Sequence, residues 1–327
     1  MTAELTDAAV RADEDDDHPP AWWHPVTRVL PEIAAILLVI CWGSSYIIAK
    51  DAYEHITPMS YIFARYLTAS LLGLAILWWR GRRGGMHTYW YIHPEDRWRF
   101  IWCGLMGFTL NQLLFSYGVD LTSAFASSLL GSLIPLFSLA LVTMLGERQA
   151  RVVWIGVIVA VIGVTLFLAR GGEGMGMLGN VLCLGAAASF AIYSELARPL
   201  VRRYPGETVA TYTMAIGSLP LFFITMPDVL AQDWASLDPM LFVVILYIVI
   251  FPIYLSLMVW NWIIAKRGVA ATGWNLVVPI ASGIMAVLFL GDTIGVLQII
   301  GAIVTLLGLV LMQRDTLRRG RPAPGDA

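Results

Sequence analysis

Along this chain apolar residues come in long continuous runs separated by short polar breaks, and the length of the runs decides the element. A helix rising 1.5 Å per residue needs about 20 apolar residues to cross a hydrocarbon core of roughly 30 Å. Runs of that kind recur ten times, near residues 31–49, 58–79, 100–118, 122–145, 152–170, 176–197, 208–226, 240–262, 269–290 and 295–313. They are unbroken and rich in Leu, Ile, Val and Ala, whereas strands of a membrane barrel need only about ten residues of alternating polarity. The pattern predicts an all-α integral membrane fold of ten transmembrane helices. Few residues remain for a soluble domain.

Composition agrees: 58% of the 327 residues are hydrophobic and 13% charged, outside the range of soluble chains. The opening "MTAELTDAAVRADEDDDHPP" is acidic and lacks the basic, then apolar, then small-residue order of a cleaved signal. Residues 1–30 are therefore expected to form a disordered cytoplasmic tail, with a second tail over 315–327. Cys41, Cys103 and Cys183 each sit alone in a separate apolar run, which points to neither a disulfide framework nor a metal site.

Charge sets the orientation, because Lys and Arg near membrane segments stay on the cytoplasmic side. With the N-terminus inside, all of the 21 Lys and Arg fall in cytoplasmic segments except Lys50 and Arg170 outside and Arg65 within the second helix. The expectation is a multi-pass protein of the cytoplasmic (inner) membrane with both termini cytoplasmic. The loop "RGRRGGMHTYWYIHPEDRWRF" mixes arginine with aromatic residues. Beside membrane helices this reads as anchoring in the headgroup layer, so the bilayer is the partner and nucleic acid is not.

The chain echoes itself. Pro135 and Pro279 lie 144 positions apart, and after one inserted residue Glu147 with Asp292, Gly156 with Gly301 and Gly163 with Gly308 all lie 145 apart. A shared offset at four punctuating positions argues for duplication of a five-helix unit, 31–170 and 176–314. Five is odd, so the second copy enters from the opposite face, giving two inverted repeats. Secondary transporters have this architecture, with the substrate site near the midplane and alternating access from rocking of the repeats. The glycine pairs, two turns apart on one face, read as close helix packing.

With "CWGSSYIIAK" ending the first helix, "FARYLTASLL" in the second, "SYGVDLTSAFASSLLGSLIPLFSLALVTMLGER" through the fourth and "WIGVIVAVIGVTLFL" in the fifth, the chain resembles the drug/metabolite transporter superfamily, in its EamA-type branch. The second half departs from that pattern, with "LGDTI" where a Glu is common and no Trp-Gly-Ser in the sixth helix. The resemblance implies a transporter of small metabolites, often amino acids, and the best-understood relatives resemble aromatic amino acid exporters.

Counting along each helix puts polar or aromatic residues near midplane at Trp42, Ser45 and Tyr46 (first), Asn111 and Gln112 (third), Ser128 and Gly131 (fourth), Ser189 and Tyr193 (sixth), Tyr254 (eighth), and Trp274, Asn275 and Ser282 (ninth). Helices two, five, seven and ten look plainer and are expected to support this inner group. Each position also has a packing explanation, since small polar residues join helices and buried rings fill space. Asn111 stands out because an unpaired amide in lipid is costly. Pro135, Pro252 and Pro279 free backbone carbonyls that either face a polar cavity or are absorbed in a kink.

Arg65 lies about 10 Å below the outer end of the second helix, seven residues past Pro58. Two readings stay open: an electropositive anchor for a substrate carboxylate, or a structural pair with Asp51, Glu54 or Asp120. All five His fall in the tail or loops, so no mid-depth proton relay is evident and facilitated transport or exchange is expected. No nucleotide-binding glycine loop is present, and no cofactor is expected. A phosphorylated or nucleotide-linked sugar is the alternative substrate, although it would favour several cavity cations. An integral-membrane enzyme would need convergent His, Asp or Cys groups at an interface, and a receptor would not need an inverted repeat.

Overall fold

A computed structural model of the chain describes residues 23–146, 148–169, 175–256, 259–260, 263 and 274–319, and within these the regular structure is helical. The long helices are α1 (Trp23–Ala52), α2 (Pro58–Gly84), α3 (Arg97–Leu121), α4 (Ala124–Met144), α5 (Arg151–Leu168), α6 (Met175–Arg203), α7 (Gly206–Ala231), α8 (Pro239–Leu255), α9 (Trp274–Leu290) and α10 (Val296–Arg319). Short helical pieces, Met86–Trp90 and Pro94–Asp96, fill the link between α2 and α3.

Seven of these helices, α1, α2, α4, α5, α6, α7 and α10, are long and apolar enough to cross a membrane, and α8 and α9 are shorter apolar helices. Each predicted run overlaps one of these helices, and parts of the eighth and ninth runs lie outside the described residues. The ends differ, because hydrocarbon thickness limits the apolar residues of a helix and not its whole length. Thus α1 begins at Trp23 and α10 runs to Arg319, so residues 23–30 and 315–319, expected in the tails, continue helices. The rest of both expected tails, with Glu147, Arg170, Lys266 and Arg267, lies outside the described residues.

Local chemistry starts the helices. Thr57 caps α2, its side chain accepting from the Ser60 N–H, and Pro58 takes the first turn, where its missing N–H costs nothing. Asp238 with Pro239 repeats the arrangement on α8. Three helices depart from α geometry. α3 widens to a π-helix over Leu105–Leu110, α8 over Val249–Leu255 and α9 over Ala286–Leu290. α4 breaks after Gly131 and restarts at Ile134, and α9 passes from a tight first turn to an α-helix at Val278, each restart followed by a proline.

The polarity of the bundle is that of a protein solvated by lipid. Phe223, Leu230, Leu288, Phe289 and Val296 are exposed, whereas Ser60, Thr213, Ser218, Ser282 and Thr305 are fully buried. Their hydroxyls mostly bond carbonyls of their own helices, as in Thr213 to Val209 and Thr305 to Gly301, and small buried residues let backbones approach. The closest approach joins α5 to α10. A Cβ at Gly163 would lie 2.2 Å from the Thr305 nitrogen, one at Gly308 2.2 Å from Ala160 N, one at Gly156 2.5 Å from Met312 N and one at Gly301 2.5 Å from Phe167 N. The two glycine pairs therefore interdigitate, as their spacing predicts. α2 packs on α7, α3 and α4 on α6, α1 on α8 and α9, and α4 on α9.

Candidate functional site

Arg65, the charge placed inside an apolar run, is 7% exposed. Its Nη2 donates to Gln112 Oε1 on α3 and to the Tyr66 hydroxyl at 3.3 Å. Its guanidinium carbon lies 5.0 Å from the Tyr66 ring centre and 5.5 Å from that of Tyr61, four residues earlier on the same face of α2. Among the described residues no carboxylate lies within ion-pair distance of Arg65. The pairing with Asp51, Glu54 or Asp120 that the sequence allowed is not formed. Asp51 is exposed in the last turn of α1 and Glu54 on the turn after it, and Asp120 sits at the C-terminal end of α3. A neutral amide meets the guanidinium without the desolvation that burying a carboxylate requires.

Gln112 carries the contact onward. Its Nε2 donates to Asn111 Oδ1 at 2.7 Å, and Asn111 Nδ2 donates to the Ala186 carbonyl on α6 at 2.8 Å. A hydrogen-bonded chain thus runs from α2 through α3 to α6, joining the two residues that the sequence marked most strongly. Ser189 on α6 closes on the π-helical stretch of α3 through the Met106 carbonyl at 2.7 Å. A π-turn leaves its carbonyls imperfectly used within the helix, and such turns recur at functional positions.

Trp42 and Trp274 stand in a separate group around α1, α8 and α9. Trp42 Nε1 donates to the Pro252 carbonyl at 3.2 Å, inside the π-stretch of α8, and its ring meets Trp260 edge-on at 5.4 Å. Trp274 packs in the same cluster with Leu38 and Ile263. Tyr46 meets Phe115 at 5.6 Å, and its hydroxyl faces Gly131 so closely that a Cβ there would lie 2.8 Å away. Tyr193 packs on Phe108 and Phe190 over Gly107.

Three candidates have their hydroxyls committed to backbone. Tyr254 donates to the Ala69 carbonyl at 2.7 Å, Ser45 to Cys41 at 3.1 Å and Ser128 to Phe125 at 2.9 Å. Ser282 reaches the Ala124 carbonyl at 3.5 Å, and Asn275 is half-buried on the tight first turn of α9.

Sequence reasoning missed two features. Around Arg65 stand Tyr53, Tyr61 and Ser116, whose hydroxyl oxygens are buried without a hydrogen bond of good geometry, as is Arg65 Nε. Tyr61 was detectable from its position one turn before Arg65; Tyr53, on a turn, carried no such signal. Second, the basic aromatic loop is tied to the α6–α7 turn as well as exposed for lipid. Arg203 bonds Glu95 at 2.5 Å and buried Asp96 at 2.9 Å, Tyr204 donates to Asp96 at 2.8 Å, and Arg80 meets Glu207 at 2.7 Å. The Glu95 contact raises the Arg203 pKa, while burial, then the bond to Asp96, raises that of Tyr204. Trp78, Trp79, Trp98 and Trp102 remain exposed, with Arg82 and Arg83 lying over Trp78 and Trp79, which fits the expected headgroup belt.

Comparison with known proteins gives one family. The model of the EamA-like transporter family matches residues 29–169 and again 177–314. A probable terminal-alkyne amino-acid exporter of Streptantibioticus cattleyicolor is 26% identical over 292 residues, covering 89% of this chain and 95% of the relative. A probable amino-acid metabolite efflux pump of Salmonella typhimurium is 23% identical over 291 residues, covering 85% and 92%. A solved crystal structure superimposes with a TM-score of 0.58 at 18% identity, over 88% of this chain and 98% of its own, a likeness of fold.

Proposed function

The chain belongs to the EamA-like transporter family, and from that premise we propose that it is a secondary transporter exporting or exchanging neutral or aromatic amino acids across the cytoplasmic membrane by alternating access. In this reading ten transmembrane helices form two inverted five-helix repeats with both termini cytoplasmic. The observation that carries it is the buried chain Arg65–Gln112–Asn111–Ala186, which links α2 and α3 of the first half to α6 of the second. A polar path between repeats is where such folds bind substrate.

Duplication has further support. The π-stretches of α3 and α8 begin at Leu105 and Val249, and the helical restarts of α4 and α9 at Ile134 and Val278, each pair 144 positions apart like Pro135 and Pro279. Helices second in each half pack together, as do those fourth and those fifth. Relatives named as a probable terminal-alkyne amino-acid exporter and a probable amino-acid metabolite efflux pump support the substrate class. Trp42, Tyr46, Tyr193 and Trp274 offer ring surface for an apolar side chain. A sugar phosphate would call for several interior cations, and Arg65 and Lys50 are the two candidates.

Expression in a bacterium lacking its own exporters tests the direction and the class. Cells making the protein should survive toxic analogues of neutral or aromatic amino acids at higher concentration than cells making Asn111→Ala. Equal sensitivity, with both proteins present in the membrane, would remove the assignment.

A further inference from the structure

We propose that Arg65, Tyr53, Tyr61 and Ser116 form a carboxylate-binding station on the path, which holds the α-carboxylate of the transported amino acid. The inference rests on the amino-acid reading above and adds the group that recognises the substrate's charge.

The guanidinium is permanently charged, is buried, and has no counter-ion within ion-pair distance among the described residues. An isolated buried charge is strongly unfavourable, and the amide of Gln112 with the faces of Tyr61 and Tyr66 offsets it only in part. The unmet demand is specific. Arg65 Nε and the hydroxyl oxygens of Tyr53, Tyr61 and Ser116 are all buried without a hydrogen bond of good geometry, Tyr53 lying within reach of Ser116 and Tyr61 within reach of Arg65. The Tyr53 and Tyr61 rings meet edge-on at 5.3 Å, and the Tyr53 hydroxyl interacts electrostatically with Arg65 and lies beside Ser116.

Four donors around one positive charge match what a carboxylate brings, two oxygens with about four lone-pair sites and one negative charge. A phosphate dianion would leave a second charge uncompensated here. Lys50 donates to the Val119 and Asp120 carbonyls at the end of α3. Asp120 also acts on Tyr53, so the station favours a monoanion held by Arg65 over a more highly charged ligand. The guanidinium keeps Nη2 on Gln112, and through it on Asn111, so occupancy of Nε is coupled to the chain that ends on α6.

Purified protein in proteoliposomes tests this, with phenylalanine, phenylalanine amide and hydrocinnamate competing against labelled phenylalanine in exchange. Wild-type exchange should be inhibited by phenylalanine and hydrocinnamate and at least about thirtyfold less well by the amide, the loss expected when a buried charge loses its partner. Arg65→Gln should abolish that preference and Arg65→Lys restore part of it. Tyr61→Phe removes a hydroxyl that makes no hydrogen bond of good geometry and keeps the ring, so it should lower the preference several-fold at a nearly unchanged melting temperature. Equal inhibition by phenylalanine and its amide in the wild type would overturn the station while leaving amino acid transport standing. If no amino acid is exchanged, thermal stabilisation of the detergent-solubilised wild type by hydrocinnamate, absent in Tyr61→Phe, would uphold a carboxylate site and discard the amino acid reading; no such stabilisation would discard both.

Discussion

Replacing Gly163 by alanine adds a single methyl group at the α5–α10 contact, and the structure fixes what it meets. The new carbon would lie 2.2 Å from the Thr305 nitrogen and 2.5 Å from its hydroxyl oxygen. Non-bonded heavy atoms settle at about 3.5 Å or more, so the two helices must part by over about 1 Å at this point. The obstacle is backbone, which no rotamer change can move. Overpacking of this kind costs about 1 to 3 kcal/mol, and separation also loosens the facing contacts of Gly156, Gly301 and Gly308. We expect a loss near the upper end, about 2 to 3 kcal/mol, or a melting temperature lower by roughly 3 to 4 °C. Intrinsic fluorescence melting in nanodiscs reads it directly. Gly308→Ala should match it, and Gly295→Ala, whose methyl would meet nothing closer than Gln298 Oε1 at 3.6 Å, should not. A Gly163→Ala protein that melts with the wild type would refute the contact as the basis of α5–α10 pairing.

Other outcomes follow from the same geometry. Tyr254→Phe removes the bond to Ala69 and should cost about 1 kcal/mol of stability while leaving exchange intact; lost exchange at unchanged stability would return the hydroxyl to the substrate path. Asp96→Ala strips an acceptor from both Arg203 and Tyr204 and should destabilise by about 1 to 3 kcal/mol, with Arg203→Gln losing less because its side chain is half exposed; no change in melting would contradict the tether. Asp292, in the turn before α10, has its pKa raised by burial against an opposing effect of Lys50, and its Oδ2 is buried without a partner. Its protonated form suits the fold, so its contribution is full below the unfolded carboxylate value and is lost as pH rises through the folded one. Asp292→Asn should therefore melt higher than wild type at neutral pH and converge with it in acid; a constant difference would rule the carboxyl out. Reporter fusions at Arg203 and Asp233 should report opposite compartments, and matching compartments would end the ten-helix topology.

The helical class was legible because lipid imposes one dominant rule, a run of apolar residues long enough to span it, and seven of the described helices meet that rule. Gly163 and Gly308 were legible as packing residues because spacing by two turns puts them on one face. What the one-dimensional pattern lacks is the facing partner. Arg65 had three carboxylates expected near the same membrane face, yet it meets Gln112, 47 residues away, because charged groups at helix ends keep their water while an amide at depth needs a donor. The same gap hid the Asp96–Arg203 tether, whose halves stand 107 residues apart in a loop that lipid anchoring already explained. The π-turns of α3, α8 and α9 left no cue in local propensity, although Pro252 lies inside one of them. Tyr254 and Ser128 show the converse, since residue type alone does not tell a hydroxyl that meets a substrate from one bonded to backbone.

Transport itself is the most direct test. Proteoliposomes preloaded with an unlabelled neutral or aromatic amino acid should take up the labelled form against dilution, should continue when a protonophore collapses any proton gradient, and should lose uptake across the panel in Asn111→Ala. Preferential exchange of a sugar phosphate over every amino acid, or undiminished exchange by a folded Asn111→Ala protein, would contradict the account.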